Sequence, residues 1–123
     1  MDILQMDAAH MAGMEFDCGC GHRHSVGIES IIIESGAVQK LPGLLDAYRA
    51  KNVYLVADNN TWAVCGQAVR DLLEGAKIHT HAYILHREHD LVPDEAALGG
   101  IVAYLDQDDD YIIGIGSGSI NDL

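Results

Sequence analysis

Short apolar runs alternate along this chain with segments whose apolar residues recur every three or four positions. Most of the runs are β-branched or uninterrupted by polar residues, which predicts strands, although His79 and His81 interrupt one of them. The recurring pattern between the runs predicts helices. The predicted strands are residues 31–33, 53–57, 78–85 and 111–115, and the predicted helices are residues 42–49, 62–73 and 93–105. Because strands and helices alternate, we predict an α/β fold, with a parallel sheet and helices on both faces.

The same pattern predicts which side chains face the core and where two helices begin or end. Helical spacing places Cys65 in the core, together with the stripe of apolar residues from Leu98 to Leu105. Pro93 is expected at the first position of its helix, where a missing N–H costs nothing. Gly75 is expected just after helix 62–73, where the left-handed conformation favours glycine.

Composition limits the classes of function open to the chain. Its 123 residues suffice for one domain, and 49% of them are hydrophobic, which is globular rather than disordered composition. The formal net charge of −12 argues against nucleic acid and anionic membranes as partners. We find no secretory signal and no apolar run near the roughly 18 residues that span a bilayer. Since there are only three cysteines, we expect a cytoplasmic protein.

Two further groups of polar residues are interpreted as structural rather than as metal sites. The acidic run from Asp108 to Asp110 is predicted to be a solvated turn, because the spaced ligands of a calcium loop are missing. His79 and His81 share one face of their predicted strand, but no acidic partner is fixed beside them. We therefore expect these histidines to lie at the surface or at a sheet edge.

Residues 1–24 show no sustained periodicity and are predicted to form an irregular arm before a domain that spans residues 25–123. The arm contains four soft metal ligands within seven residues: Cys18, Cys20, His22 and His24. A zinc site is one interpretation, but the cysteines are spaced too closely for the usual structural sites, and four ligands in so short a loop would be strained. We prefer the alternative, a packed or disordered arm without a metal.

A glycine-rich loop, Gly114-Ile115-Gly116-Ser117-Gly118-Ser119, follows the last predicted strand. Glycines let a backbone approach a diphosphate and adopt positive φ, and a helix beginning near Ile120 would direct N–H groups to the same place. Ser117 and Ser119 can donate hydroxyl groups or cap that helix. The pattern departs from the G-x-G-x-x-G fingerprint at Ser119, so an ordinary serine-capped turn stays open as the alternative.

A second polar group, Asp58-Asn59-Asn60, follows the predicted strand 53–57. Open parallel sheets bind ligands at the carboxyl ends of their strands, and a carboxylate there can accept hydrogen bonds from a ribose diol. On local grounds alone, an Asx turn or a helix N-cap explains these residues better.

Four segments together resemble the iron-containing alcohol dehydrogenase superfamily, and within it the bacterial sn-glycerol-1-phosphate dehydrogenases. The segment Gly116–Leu123 resembles the superfamily's glycine-loop motif, and Ser117 suits the glycerol-1-phosphate branch. The other three segments are Cys18–Gly21 before the first strand, Val56–Thr61 after the second, and Leu91–Glu95 at the start of a helix. The resemblance runs from about Phe16 to the end of the chain, and the order of the four segments makes it more specific than any single motif.

The resemblance implies a Rossmann-like N-terminal domain of a two-domain enzyme, with NAD(H) or NADP(H) as cofactor. A carboxylate at Asp58 would repel a 2′-phosphate, which favours NAD. It also implies a divalent metal, zinc, held by one Asp and two His of a helical C-terminal domain beyond Leu123, so no metal ligand is assigned here. The implied cofactor-binding residues are Asp58 and Asn60 for the adenine-side ribose, Gly116, Ser117, Gly118 and Ser119 for the diphosphate, and Asp122 near the nicotinamide and substrate.

The implied activity is the reduction of dihydroxyacetone phosphate to sn-glycerol 1-phosphate by NAD(P)H. We expect the full-length protein to be a homo-oligomer, and residues 1–123 alone to be inactive. Two alternatives stay open. One is a related enzyme, such as a glycerol dehydrogenase or a dehydroquinate-synthase-like enzyme, and the other is a non-catalytic nucleotide-binding module.

Overall fold

Residues 5–123 are described by the computed structural model and divide into two compact units, with a boundary between Ala37 and Val38. The first four residues of the predicted arm lie outside the described part of the chain. The boundary falls later in the sequence than the predicted start of the domain at residue 25. No helix of the described residues is long and apolar enough to cross a membrane.

The first unit contains a short antiparallel hairpin, so the arm is not irregular throughout. After a 3₁₀ helix at Ala8–Met11, strand β1 (Glu15–Asp17) pairs with strand β2 (Arg23–Ser25), and Phe16 lies opposite His24. Strands of three residues are too short to display the period of two that identifies a strand in sequence. The hydrophobic pattern therefore missed them.

The predicted strand at residues 31–33 does not form. Ile33 is 73% exposed, and residues 31–33 pair with no strand among the described residues. A β-branched run favours extended backbone, but so short a run forms a strand only when a neighbour supplies hydrogen bonds and apolar contacts. The prediction was wrong because the strand propensity of these residues is not supported by a neighbouring strand, in the described part of the chain, with which they could pair.

The second unit is a parallel sheet with helices on both faces, which confirms the predicted fold class. Its elements are α1 (Leu41–Ala47), β3 (Asn52–Asp58), α2 (Asn59–Thr61), a π-helical turn (Trp62–Gly66), α3 (Gln67–Gly75), β4 (His79–Leu85), α4 (Glu95–Ala103), β5 (Tyr111–Ile115) and α5 (Gly118–Asn121). The three strands lie in the order β4-β3-β5, and both neighbours run parallel to the central β3.

Strand β3 is buried on both faces, as its uninterrupted apolar run predicts. Its odd-numbered residues pack against α1 and α3, and its even-numbered residues pack against α4 and α5. Tyr54 on the second face donates a hydrogen bond from its hydroxyl to Ile101 O, 2.9 Å away. Burial raises the pKa of Tyr54 to about 12, because the phenolate would lose its hydration.

Cys65 is exposed, contrary to the prediction that it lies in the core. The π-helical turn is wider than an α-helical turn, so Gly66 rather than Cys65 faces the interior. A Cβ atom on Gly66 would lie 2.3 Å from Cε3 of Trp62, which shows how closely the indole covers this glycine. The three-four spacing assumes a regular helix, and it fails where the helix widens.

Helix α4 buries a narrower face than the predicted Leu98–Leu105 stripe. Ile101 is buried with Ala97, whereas Leu98 is 44% and Leu105 is 48% exposed. The helix approaches the sheet through small residues: a Cβ atom on Gly100 would lie 2.2 Å from the hydroxyl oxygen of Tyr83. Because the backbone of α4 lies close to the sheet at Gly100, the helix contacts the sheet through a narrow face. Only part of the apolar stripe therefore reaches the core.

Two helix ends differ from their predicted positions by one or two residues. Asp94 is the N-cap of α4 and accepts a hydrogen bond from Ala97 N at 2.8 Å, so Pro93 lies outside the helix. After α3, the residue with positive φ is Lys77, at 63°, and not Gly75. The left-handed conformation of Lys77 lets the chain turn into β4, while Gly75 stays helical.

The acidic run before β5 follows a turn and leaves Asp108 and Asp110 exposed, as predicted, but two of its carboxylates also make hydrogen bonds to the sheet. Asp110 Oδ2 accepts hydrogen bonds from Lys51 N and Asn52 N at 2.7 and 3.0 Å, and these bonds lower the pKa of that carboxyl. The Asp109 side chain is buried, and its Oδ1 lies 2.6 Å from Nε2 of His81. His81 therefore has the acidic partner that the sequence did not reveal, because that partner lies 28 residues away.

Candidate functional site

The chain reverses its direction of travel across the sheet at β3. It passes from β3 to β4 on one side and then to β5 on the other side. Such a reversal opens a crevice between the carboxyl ends of the two flanking strands, here β3 and β5. Ala57 and Ile115 are register partners near these ends, so Asp58 and Gly116 follow them at the same sheet edge. The two polar segments predicted from the sequence are therefore adjacent.

Asp58 is buried, 9% exposed, at the start of the helix that follows β3. Its Oδ1 accepts hydrogen bonds from Asn60 N and Thr61 N, both at 2.8 Å. In return, Thr61 Oγ1 accepts a hydrogen bond from Asp58 N at 3.1 Å, which completes a capping box. The N-cap interpretation of Asp58 is confirmed. Both cap bonds end on Oδ1, so the cap does not use the second carboxylate oxygen, Oδ2.

The two asparagines after Asp58 have different surroundings. Asn59 Oδ1 accepts a hydrogen bond from Arg87 N at 3.1 Å, which ties the end of β3 to the segment after β4. Asn59 Nδ2 also donates to Asn60 Oδ1 at 3.3 Å. Asn60 is exposed, so its side chain faces the solvent beside the crevice. The sheet edge around Asp58 is thus fixed by hydrogen bonds, with one amide left accessible.

The glycines of the loop are needed for space, not for positive φ. None of Gly114, Gly116 and Gly118 has a left-handed φ, which corrects the expectation from sequence. A Cβ atom on Gly116 would lie 2.4 Å from Cγ1 of Ile120, and one on Gly114 would lie 3.1 Å from its Cγ2. Ile120 itself is buried against β3, so the first two glycines let α5 pack tightly on the strand ends.

The third glycine of the loop faces open space. A Cβ atom on Gly118 would meet nothing within 4 Å. Ser117 occupies the N-cap position of α5, but its hydroxyl makes no capping bond. The first backbone bond of α5 is from Ile120 N to Ser117 O at 3.1 Å, and within the described residues the N–H groups of Gly118 and Ser119 have no partner. The loop therefore offers uncovered backbone donors.

A cavity of about 350 Å³ lies between the loop, α4 and the exposed edge of the sheet. Its lining is mainly apolar, and Asn121 contributes an amide. Among the residues predicted from sequence, the cavity brings together Gly116 and Ser117 only. The predicted residues that lie outside its lining are Asp58, Asn60, Gly118, Ser119 and Asp122. Asp122 is exposed, and its N–H donates to Gly118 O at 2.9 Å.

Thr61 belongs to a segment expected to cap a helix, but its part in that cap and the packing role of Ile120 were not predicted from the sequence. Thr61 completes the cap on Asp58, and its Cγ2 lies 3.5 Å from where a Cβ of Gly116 would be, so it links the two segments. An Asp followed three residues later by a hydroxyl side chain is a capping-box spacing, which could have identified Thr61. Ile120 is the reason that residue 116 must be glycine. No local sequence pattern reveals this role, because it depends on how Ile120 packs in the fold.

The cysteine and histidine residues of the arm lie in the first unit. Cys18, Cys20 and His24 come together, whereas His22 is exposed and not part of the group. Hydrogen bonds from the backbone and the thiol of Cys20 hold the pKa of the Cys18 thiol below its usual value. These three residues form a cluster that the spacing of the motif did not predict.

Comparison with known proteins identifies the family of the chain. Residues 32–123 match the family described as iron-containing alcohol dehydrogenase. The chain is 34% identical over 110 residues to glycerol-1-phosphate dehydrogenase (NAD(P)+) of Halalkalibacterium halodurans, covering 87% of this chain and 28% of that protein. It is 30% identical over 109 residues to the protein of the same name from Geobacillus stearothermophilus, covering 86% and 27%. No solved structure shows a significant match.

The chain thus spans between a quarter and a third of the length of these two relatives. The family match covers all three strands of the sheet and the glycine loop, and so includes the ends of β3 and β5 that form the crevice. The chain belongs to the iron-containing alcohol dehydrogenase family.

Proposed function

We propose that this chain forms the nucleotide-binding part of an NAD(P)-dependent dehydrogenase that reduces dihydroxyacetone phosphate to sn-glycerol 1-phosphate. The observation that carries the proposal is the position of Asp58 and Gly116 at neighbouring strand ends on either side of the crevice. Strands in a sheet lie about 4.8 Å apart, so a single dinucleotide can reach both positions. Family membership and the names of the two relatives support the same conclusion.

Asp58 would hold the adenine-side ribose through Oδ2, with Asn60 as an accessible second contact. The capping bonds to Oδ1 fix the carboxylate, so little side-chain freedom would be lost when a ribose hydroxyl binds. A 2′-phosphate near the same carboxylate would be repelled. We therefore propose NADH as the preferred cofactor over NADPH.

The diphosphate would lie against Gly116, Ser117, Gly118 and Ser119. The open space at Gly118 fits this role, because a phosphate can approach the backbone where no Cβ intervenes. The uncovered N–H groups of Gly118 and Ser119 supply donors to an anion without any Lys or Arg. Asp122, exposed at the end of α5, would face the nicotinamide side. The bound cofactor supplies the hydride for reduction of the ketone, and the chain orients it.

A catalytic metal, expected to be zinc from the resemblance, is assigned to none of these residues. The crevice between β3 and β5 offers Asp58, whose Oδ1 is already occupied by two backbone N–H groups, and no histidine or cysteine stands among the residues assigned to the cofactor. This donor set does not fit a metal that needs three protein ligands. We therefore expect residues 1–123 alone to bind nucleotide without reducing dihydroxyacetone phosphate.

The test measures oxidation of NADH and NADPH by the protein expressed from the complete reading frame, with zinc present. Dihydroxyacetone phosphate and unphosphorylated dihydroxyacetone are compared under the same conditions. Turnover with the phosphorylated ketone alone is the expected result. Turnover with the free ketone alone would instead favour a glycerol dehydrogenase, and turnover with neither would remove the dehydrogenase assignment.

A non-catalytic nucleotide-binding module is the second candidate, since the crevice needs no further domain to offer donors. The reading frame after codon 123 separates the two. An open frame that continues for the length of the relatives and encodes an Asp and two His supports the enzyme. A stop codon at that point supports the module.

A further inference from the structure

The loop that connects β1 and β2 gathers three metal-ligating side chains. The ligand atoms of Cys18, Cys20 and His24 all lie within 4.8 Å of one another. Cys20 Sγ and His24 Nε2 are 3.1 Å apart. None of the three has been used in the nucleotide site, and all three belong to the first unit of the chain.

The hairpin positions these side chains through its backbone. Cys18 N donates to His22 O at 3.0 Å, and Gly21 N donates to Cys18 O at 3.0 Å, which folds the loop back on itself. Gly21 has a φ of 85°, a conformation that favours glycine at this turn. The His24 ring stacks on Phe16, its partner across the strands, with ring centroids 5.6 Å apart. The imidazole is therefore held beside the loop that carries both thiols.

We propose that Cys18, Cys20 and His24 bind a zinc ion, with water as the fourth ligand. Zn–S bonds of about 2.3 Å and Zn–N bonds of about 2.0 Å place the ligand atoms of a tetrahedral site roughly 3.5–3.8 Å apart. The three ligand atoms already lie within 4.8 Å of one another, and Cys20 Sγ is 3.1 Å from His24 Nε2, so small side-chain rotations bring them to the spacing of a tetrahedral site. Two thiolates neutralise the charge of Zn²⁺, and the cavity of about 470 Å³ beside Cys18 and His24 leaves room for water.

The close spacing of the ligands in the sequence does not rule out a site with three protein ligands. Four ligands in this loop would be strained, but His22 lies outside the cluster and only three side chains converge. Cys18 and Cys20 are both free thiols, so neither is committed to a disulfide. A site with three protein ligands and one water accepts a shorter loop than a closed four-ligand site, because one corner of the tetrahedron is left to solvent.

The test titrates Co²⁺ into the reduced 123-residue chain and follows its absorption spectrum. Tetrahedral thiolate coordination is expected to give an intense thiolate-to-cobalt charge-transfer band and strong visible bands, which one equivalent of Zn²⁺ then abolishes. Cys18→Ser and Cys20→Ser are each expected to weaken binding by more than the roughly 10- to 100-fold that loss of a ligand's hydrogen-bond partner costs. His24→Gln is expected to weaken binding and shift the visible bands.

Cys65→Ser and His22→Gln are the matched controls, because both residues are exposed and lie outside the cluster. They should bind Co²⁺ as the unchanged chain does. Trp62, the only tryptophan, lies in the second unit and reports by fluorescence that each variant is folded there. Weak, octahedral-type Co²⁺ spectra in the unchanged chain would overturn the proposal. So would equal losses in Cys18→Ser and Cys65→Ser, or binding of Cu⁺ without binding of Co²⁺ or Zn²⁺.

Discussion

Asp58 and Thr61 each satisfy the other's backbone N–H: Asp58 Oδ1 accepts from Thr61 N at 2.8 Å, and Thr61 Oγ1 accepts from Asp58 N at 3.1 Å. We expect Thr61→Ala to lower the free energy of unfolding by about 1 kcal/mol, because it leaves a buried N–H without its acceptor. Urea unfolding followed by Trp62 fluorescence measures the change. Ser117→Ala is the control, since the Ser117 hydroxyl makes no capping bond. Equal effects of both substitutions would contradict the role of Thr61.

The charge of Asp58 can be separated from its capping role. Asn caps a helix about as well as Asp, so Asp58→Asn should leave stability almost unchanged. Removing the carboxylate charge should raise the affinity for NADPH relative to NADH roughly five- to tenfold, because the repulsion of a 2′-phosphate is lost. Calorimetric titration of both nucleotides measures this ratio. An unchanged ratio would show that Asp58 does not lie near the 2′ position.

Gly116 and Gly118 should respond to substitution in opposite ways. Gly116→Ala is expected to destabilise the chain by about 1–3 kcal/mol, because the new methyl group would overlap Ile120. Gly118→Ala has open space around it and should leave the free energy of unfolding intact. It should nevertheless weaken NADH binding at least tenfold, because the methyl group would keep the diphosphate away from the backbone. Normal NADH binding by folded Gly118→Ala would remove this loop from the proposed site.

The lowered pKa of Asp110 predicts how the free energy of unfolding depends on pH. Its folded pKa lies below the ordinary value of 3.8, because the N–H groups of Lys51 and Asn52 stabilise the carboxylate. The unfolded chain therefore binds the proton first, so the contribution is present above pH 3.8 and is lost as pH falls through the folded pKa. Asp110→Asn should lower stability at neutral pH and lose less of it on acidification. Urea midpoints measured at a series of pH values test this, with Asp108→Asn as the control.

Two adjacent glycines of α4 offer a matched pair for testing the contact between that helix and the sheet. Gly99→Ala is expected to stabilise the chain by up to about 1 kcal/mol, because a Cβ atom there meets nothing and alanine favours helix. Gly100→Ala is expected to destabilise it, because the methyl group would overlap the Tyr83 hydroxyl and ring. Thermal unfolding of both variants measures the difference. A stabilised Gly100→Ala would show that α4 can move away from the sheet at low cost.

Sequence reasoning predicted the parts of the fold that local pattern controls. The continuous apolar run of β3 and the alternation of elements predict the parallel sheet, and Asp58 was recognised as a capping candidate. Features that depend on distant partners were not predicted. The contact between His81 and Asp109 joins residues far apart in sequence, and the exposure of Cys65 depends on a widened helical turn.

The candidate site likewise has features that the sequence predicted and features that depend on distant partners. The resemblance selected Asp58 and the glycine loop, but the adjacency of Asp58 and Gly116 depends on strand order, which the alternation of elements leaves undetermined. Glycine at position 116 was expected for positive φ and for the close approach of a diphosphate, and its packing against Ile120 was not foreseen. The convergence of Cys18, Cys20 and His24 depends on a hairpin whose strands are too short for a periodic signal.

The π-helical turn at Trp62–Gly66 allows the two helices that it joins to differ in their rotation about the helix axis. The rotation of α2 is set by its cap on Asp58, and the rotation of α3 is set by Val69 and Leu73 in the core. A regular helix would force one rotation on both ends. The wider turn lets α2 and α3 keep different rotations, so the sheet edge at Asp58 can change while the core packing of α3 stays in place.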